Sequence, residues 1–244
     1  MLDYLLYIAG GIFFVMYGLM PLLILAQNKL PARYDLEPMD EETFFSETDP
    51  AFQSLFDEIK SNDFRYVASS VFNQQETQTR FSLFVHDEKK FSILLTQISN
   101  PNVPTVLSFE IGQLYDDDTM LDVLNAPIAG AYPRSSHKVT FRFPEITEVA
   151  PLIQAAEHIA QTYLSSKTAV CLEPGKEFKK VSELLNKEQD ELIEKGYVQA
   201  NVQDNQRSLT PKGAYLMTWK MLWPVKQILA KKELAFSHKI LSES

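Results

Sequence analysis

The chain has one cysteine, Cys171, so no internal disulfide can brace it. A single thiol fits a reducing compartment, and a lone cysteine is commonly a small buried apolar residue rather than a nucleophile. Glycine is scarce: of the eight, three stand at 10, 11 and 18. Nothing reads GxxxxGK[ST], GxGxxG or GxSxG, which removes the familiar phosphate loops and the nucleophile elbow. His86, His137, His158 and His238 fall at no metal-ligand spacing. Asp116-Asp117-Asp118 lacks a calcium-loop pattern and reads as a turn with acid at a helix start. The loop AGAYPRSSHK, residues 129–138, gathers Arg134, two serines and a histidine, and reads as a polar connection. No cofactor, metal or catalytic residue is expected, and the protein reads as a non-enzyme.

Charge is also absent from Tyr4 to Ala26, YLLYIAGGIFFVMYGLMPLLILA. As a helix, this run is about 34 Å long at ~1.5 Å per residue, enough for a hydrocarbon core of about 30 Å. A soluble helix would show a polar face, and none exists here. A cleaved signal peptide is the rival reading. Against it, the run is long, Asp3 precedes it without Lys or Arg, and Ile24-Leu25-Ala26 is a poor cleavage site. Lys29 and Arg33 flank the far end, so the positive-inside rule puts the remainder in the cytoplasm.

Residues 29–50 read as an acidic tether. From Asp35 to Asp49 there are seven acids and no Lys or Arg, a pattern that self-repels and extends. Thr48 or Asp49 followed by Pro50 signals a helix start, with Phe52, Leu55, Phe56 and Ile59 on one face. Strands follow at Phe64–Asn73, Gln78–His86, Lys90–Ile98 and Val103–Leu114, joined by polar turns. A short helix or irregular piece is expected over Met120–Asn125, a fifth strand over His137–Pro144, and an amphipathic helix over Glu148–Leu164. This order predicts an α+β domain over residues 51–170: an antiparallel meander sheet with flanking helices.

Residues 171–226 read as a helix–hairpin–helix module. Lys176–Lys195 carries an apolar stripe and ends at Gly196, placed as the residue after the C-cap. YVQANV and RSLT flank QDNQ, a hairpin with Asp204-Asn205 at its tip. Helix resumes after Pro211. The stretch Leu184–Trp219 is similar to the recognition-helix and wing portion of winged-helix domains. Leu192, Glu194, Lys195, Gly196, Tyr197 and Val198 match one part of that pattern, and Arg207, Leu209, Thr210, Lys212 and Gly213 the other. The resemblance covers 36 of 244 residues and implies DNA binding with this helix in the major groove. The charge balance opposes that, because Lys176–Gly196 holds five Lys and six acids, and acids repel phosphates.

The end of the chain is basic. Arg207–Lys239 has seven basic residues and one acid, Glu233. Trp219, Lys220, Trp223 and Lys226 suit a membrane interface, with Trp at headgroup depth and Lys reaching anionic lipid. Packing of the two Trp against the sheet is the competing reading of Tyr215–Trp223. Lys231 and Lys232 extend the contact into a basic tail, residues 227–244. With an anchor at residues 1–28, the sequence reads as a single-pass membrane protein with a cytoplasmic interaction or scaffold domain. Its expected partners are the lipid bilayer and another protein. The alternative is an anchored regulator that binds nucleic acid through Gly196, Arg207, Thr210, Lys212 and Gly213.

Overall fold

A computed structural model describes residues 2–127 and 130–242. Met1 of the anchor, Ile128, Ala129 of the polar loop, and Glu243 and Ser244 of the tail lie outside the described residues. The uncharged run forms α1 (Leu2–Phe14), a π-helical turn (Val15–Leu19) and α2 (Met20–Gln27). Strand β1 (Lys29–Pro31) and the short helix α3 (Glu41–Phe45) precede α4 (Pro50–Ser61). The start of α4 follows its signals: the Asp49 carboxylate accepts from the Ala51 N–H at 2.8 Å, and Pro50 opens the first turn. The meander follows as β2 (Arg65–Gln74), β3 (Thr77–His86), β4 (Phe91–Asn100) and β5 (Val103–Tyr115). Then come β6 (Met120–Leu124), β7 (Lys138–Arg142), α5 (Val149–Tyr163) and β8 (Ala169–Val170). The chain ends with α6 (Glu177–Glu194), β9 (Gln206–Ser208), α7 (Pro211–Met221) and α8 (Val225–Ser242).

Two compact units share this chain. The sheet unit holds residues 35–128, 135–184 and 232–244. Its strands lie in the order β2-β3-β4-β5-β6-β7, with β8 paired to β5. All neighbours are antiparallel except β6 and β7, which are parallel. Register aligns Phe84, Ile93, Ile111, Val123 and Phe141 in one row across five strands, each buried. Phe56 and Ile59 from α4, and Leu152, Ala156 and Ile159 from α5, belong to the same core. The α+β class expected from the sequence is the class observed.

Three segments of this unit depart from the sequence reading. Met120–Leu124 is a strand, not a helix or loop. It satisfies the open hydrogen-bonding edge of β5, and that tertiary demand outweighs the weak local signal of five residues. The acidic stretch before Pro50 is docked rather than free. Leu36 and Phe44 are buried, Met39 bridges Ser69, and the Asp40 carboxylate caps α3 by accepting from the Thr43 N–H at 3.0 Å. That bond holds the Asp40 carboxyl below its ordinary range. The interleaved apolar residues, not the acids, decide where this segment lies. Finally, the tail is not a free membrane-surface strip along its whole length. Within residues 232–242, Phe236 stacks on Phe141, Ser237 and Ile240 are buried, and Glu233 pairs with Arg142 at 3.1 Å. Glu233, Phe236, Ser237 and Ile240 recur at helical spacing on one face of α8, while Lys231 and Lys232 are exposed.

The hairpin unit holds residues 1–34, 129–134 and 185–231. Its core is small. Leu30, Val198, Leu209 and Ala214 are buried, and Ile24, Leu25, Tyr132, Leu192, Ile193 and Met217 pack against them.

Candidate functional site

Apart from Lys232, the sequence features that pointed to a surface activity lie in the hairpin unit. Among the described residues one helix, Leu6–Gln27, is long and apolar enough to cross a membrane: 22 residues at mean hydropathy 2.2, with only 6% of that window buried. Tyr7, Phe13 and Phe14 are all exposed along it. Its last turn is not free, because Ile24 and Leu25 pack on the small core. The chain then passes directly into β1, which pairs antiparallel with β9. Lys29 Nζ donates to Ser208 Oγ at 2.6 Å across that pair. The second half of α6 holds the next residues in place. Asn186 exchanges two hydrogen bonds with the Tyr34 backbone, both 2.8 Å, Gln189 donates to the Pro31 carbonyl at 2.6 Å, and Asp190 pairs with Arg33 at 2.8 Å.

The residues that carry the sequence resemblance to winged-helix domains have explicit local work here. Gly196 ends α6 at φ +71°, a left-handed cap that glycine adopts without Cβ strain. Asp204 and Asn205 both have positive φ, as a two-residue hairpin turn requires, and Gln203 pairs with Gln206 around them. Thr210 caps α7: its hydroxyl donates to the Gly196 carbonyl at 2.7 Å and accepts from the Gly213 N–H at 3.1 Å. At Gly213 a Cβ would overlap the Tyr197 carbonyl, so only glycine lets α7 approach the hairpin this closely. Lys212 Nζ donates to the Lys195 carbonyl at 2.6 Å and sits 4.5 Å from the Tyr197 ring centroid. Arg207 donates to the Ala32 carbonyl at 3.2 Å and to the Ala200 carbonyl. Gly196, Arg207, Thr210, Lys212 and Gly213 therefore form the joints of the helix–hairpin–helix unit. The helix–hairpin–helix order is present, and its return strand β9 is shared with the N-terminal segment.

Helix α7 runs antiparallel to α2. Its first turns meet the level of Ile24 and Leu25 at Ala214 and Met217, and beyond its end the Trp223 carbonyl accepts from the Tyr17 hydroxyl. Trp219 and Trp223 do not pack on a sheet; they are 59% and 71% exposed. Between α7 and the N-terminal helix lies an open groove of about 600 Å³, lined by Phe13, Tyr17, Pro21, Tyr215, Leu216 and Trp219, with Lys212 on its wall. Lys220 points away from solvent, donating to the Tyr132 carbonyl at 2.8 Å. Burial, then the nearby Arg134 charge, lowers its pKa. Burial, then Tyr34, pushes the Tyr132 hydroxyl up to about 12. Lys226 is half-buried, while Lys231 and Lys232 are exposed.

Sequence reasoning missed Phe13, Tyr17 and Pro21 as groove walls and Tyr132 as the seat of Lys220. The available signals were a tyrosine in the middle of an apolar run and one aromatic ring in an otherwise polar loop. Elsewhere the chemistry-bearing residues stay apart. Asp117 pairs with Lys167, which with the Thr119 hydrogen bonds holds its carboxyl at about 2. Asp118 lies 3.9 Å from Lys180, and His238 lies 3.0 Å from Glu145. His86 meets the Phe64 ring edge-on, and Cys171 is exposed. Ser135 Oγ is 2.7 Å from His137 Nδ1. Among the described residues no group of three or more His, Cys, Asp and Glu could hold a metal ion. No family model, curated protein or solved structure matches this chain.

Proposed function

We propose that this is a single-pass membrane-anchored protein that presents an α+β interaction domain on the cytoplasmic side of a bilayer. In this reading the helix–hairpin–helix unit is the membrane-proximal collar of the anchor. The observation that carries it is the pairing of an unburied apolar 22-residue helix with α7, which carries Trp219 exposed, and with Trp223 exposed just beyond the end of α7. Aqueous exposure of that much adjoining aromatic surface is unfavourable, and lipid removes the cost. Lys29 and Arg33 follow the apolar run and support the cytoplasmic orientation. Lys226, Lys231 and Lys232 supply attraction to an anionic leaflet, each about 1 kcal/mol when near the surface.

A nucleic-acid role has less support. The Arg207 guanidinium is engaged with two carbonyls of its own unit, and Asn186, Gln189 and Asp190 of α6 are occupied by residues 31–34. Two measurements test the proposal. A reporter fused after residue 244 should read cytoplasmic; a periplasmic or lumenal signal would reverse the orientation. Vesicle flotation of a variant lacking residues 1–27 should show anionic-lipid binding that weakens when residues 226, 231 and 232 are changed from Lys to Glu. Binding indifferent to those changes removes the basic contact. Salt-sensitive DNA retardation by the full chain would favour the alternative instead.

A further inference from the structure

The groove beside α7 has dimensions and a charge pattern that suit a particular ligand. The uncharged run is bounded by Asp3, and Tyr4 to Tyr17 spans only about 20 Å at 1.5 Å per residue. A hydrocarbon core is about 30 Å thick, so Tyr17 must lie about 10 Å inside it for the run to cross. Trp223, hydrogen-bonded to Tyr17, shares that depth. Lys212 is nine residues before Met221, the end of the antiparallel α7, about 14 Å nearer the cytoplasm than that end. That sets Lys212 roughly 4 Å outside the hydrocarbon, which is headgroup level. The groove thus extends from a cation among headgroups, past Trp219 in the outer part of the hydrocarbon, to Phe13 near the depth of one acyl leaflet.

Two of its hydroxyls are already engaged, which narrows the choice further. The Thr218 hydroxyl donates to the Ala214 carbonyl at 2.7 Å, and the Tyr17 hydroxyl donates to Trp223. Both are satisfied within the protein. Lys212 is the cation on the wall, and its ammonium has three donors, of which the Lys195 carbonyl takes one. We infer that this groove binds one anionic phospholipid, its phosphate on Lys212 and one acyl chain laid between α7 and the Phe13–Pro21 face. The inference rests on the membrane reading above. A peptide in the same place would leave its backbone amides unpaired against an apolar wall at lipid depth, whereas an acyl chain has none to satisfy.

The full chain is reconstituted in phosphatidylcholine vesicles carrying a trace of acyl-photoreactive phosphatidylglycerol or acyl-photoreactive phosphatidylcholine. Crosslinks are mapped by mass spectrometry. The phosphatidylglycerol probe should label Phe13, Tyr17, Tyr215 and Trp219 about fivefold more than the neutral probe, the factor one basic residue commands at an anionic surface. Lys212→Glu should abolish that preference. Leu216→Trp, which fills the groove and leaves the charge alone, should cut labelling by both probes. Equal labelling by the two lipids, or a preference that survives both substitutions, overturns the inference. If Lys212→Glu loses helical circular dichroism, the wild-type preference decides: it must fall as salt rises, and indifference to salt counts against the site. Alkaline carbonate extraction of the same vesicles separates the two levels. Release of the chain sinks the membrane reading itself; retention with unselective labelling sinks only the groove.

Discussion

In the sheet unit, Phe84, Ile93, Ile111, Val123 and Phe141 line up across five strands and are sealed beneath two helices. In the hairpin unit the buried apolar residues are few and small, while Trp219 and Trp223, the largest side chains of all, face outward. Polar latches replace core volume there: Asn186 on Tyr34, Gln189 on Pro31, Thr210 on Gly196. One unit is finished by its own burial. The other is assembled by hydrogen bonds and leaves an apolar flank exposed, the flank that the proposed bilayer would cover.

Removing volume from the row gives the largest contrast. Ile111→Ala should destabilise the sheet unit by about 2–5 kcal/mol, read as a shifted urea midpoint of its unfolding. Trp219→Ala should leave stability in detergent within about 0.5 kcal/mol, because its side chain packs little within the protein. If the two variants unfold alike, the division between a sealed and an open unit is wrong. Next in size is Gly213→Ala. The added Cβ pushes α7 off the Tyr197 carbonyl, costing about 1–3 kcal/mol. Faster amide exchange at Val198 and Leu209, with the sheet unit unchanged, is the expected signature. Unchanged exchange would mean that the hairpin and α7 are not locked by this approach.

The two units were also unequally legible from the sequence. Alternation and polar turns located β2 to β5 within one or two residues, since each strand has one buried face and a short antiparallel return. Gly196, the Asp204-Asn205 tip and the start of α7 at Pro211 were legible for the same local reason. Met120–Leu124 was not, because its strand state comes from the edge of β5, a partner chosen by tertiary structure. The docking of the acidic stretch is not legible because its acids dominate the pattern while Leu36 and Phe44 do the anchoring. The groove was invisible for a further reason: Tyr17 and Trp223 are 206 residues apart, and no local pattern records that they meet.

Titration separates the units at alkaline pH. Burial raises Tyr132 in the hairpin unit and Tyr115 in the sheet unit to about 12 each. An unfolded tyrosine ionises near 10, so between about 10 and 12 the folded form binds more protons, and stability falls as pH rises through that window. Tyr132→Phe should flatten the fall for amide protection in the hairpin unit only, and Tyr115→Phe for the sheet unit only. If either substitution flattens both, the units unfold as one and the comparison loses its basis.

The smallest effect lies on the acid side and belongs to the sheet unit alone. Lys167 and the Thr119 hydrogen bonds hold Asp117 at about 2, below an ordinary aspartate near 4. A depressed carboxyl gives stability that is complete above the unfolded pKa and lost as pH falls through the folded one, here from about 4 down to about 2. Asp117 is exposed, so solvent screens the pair and the gain is slight. Asp117→Asn should therefore shallow the acid limb of sheet-unit stability by a small amount that high salt erases. A loss that persists in high salt, or that extends to Val198 and Leu209, would show that the turn after β5 supports more than its own strand end.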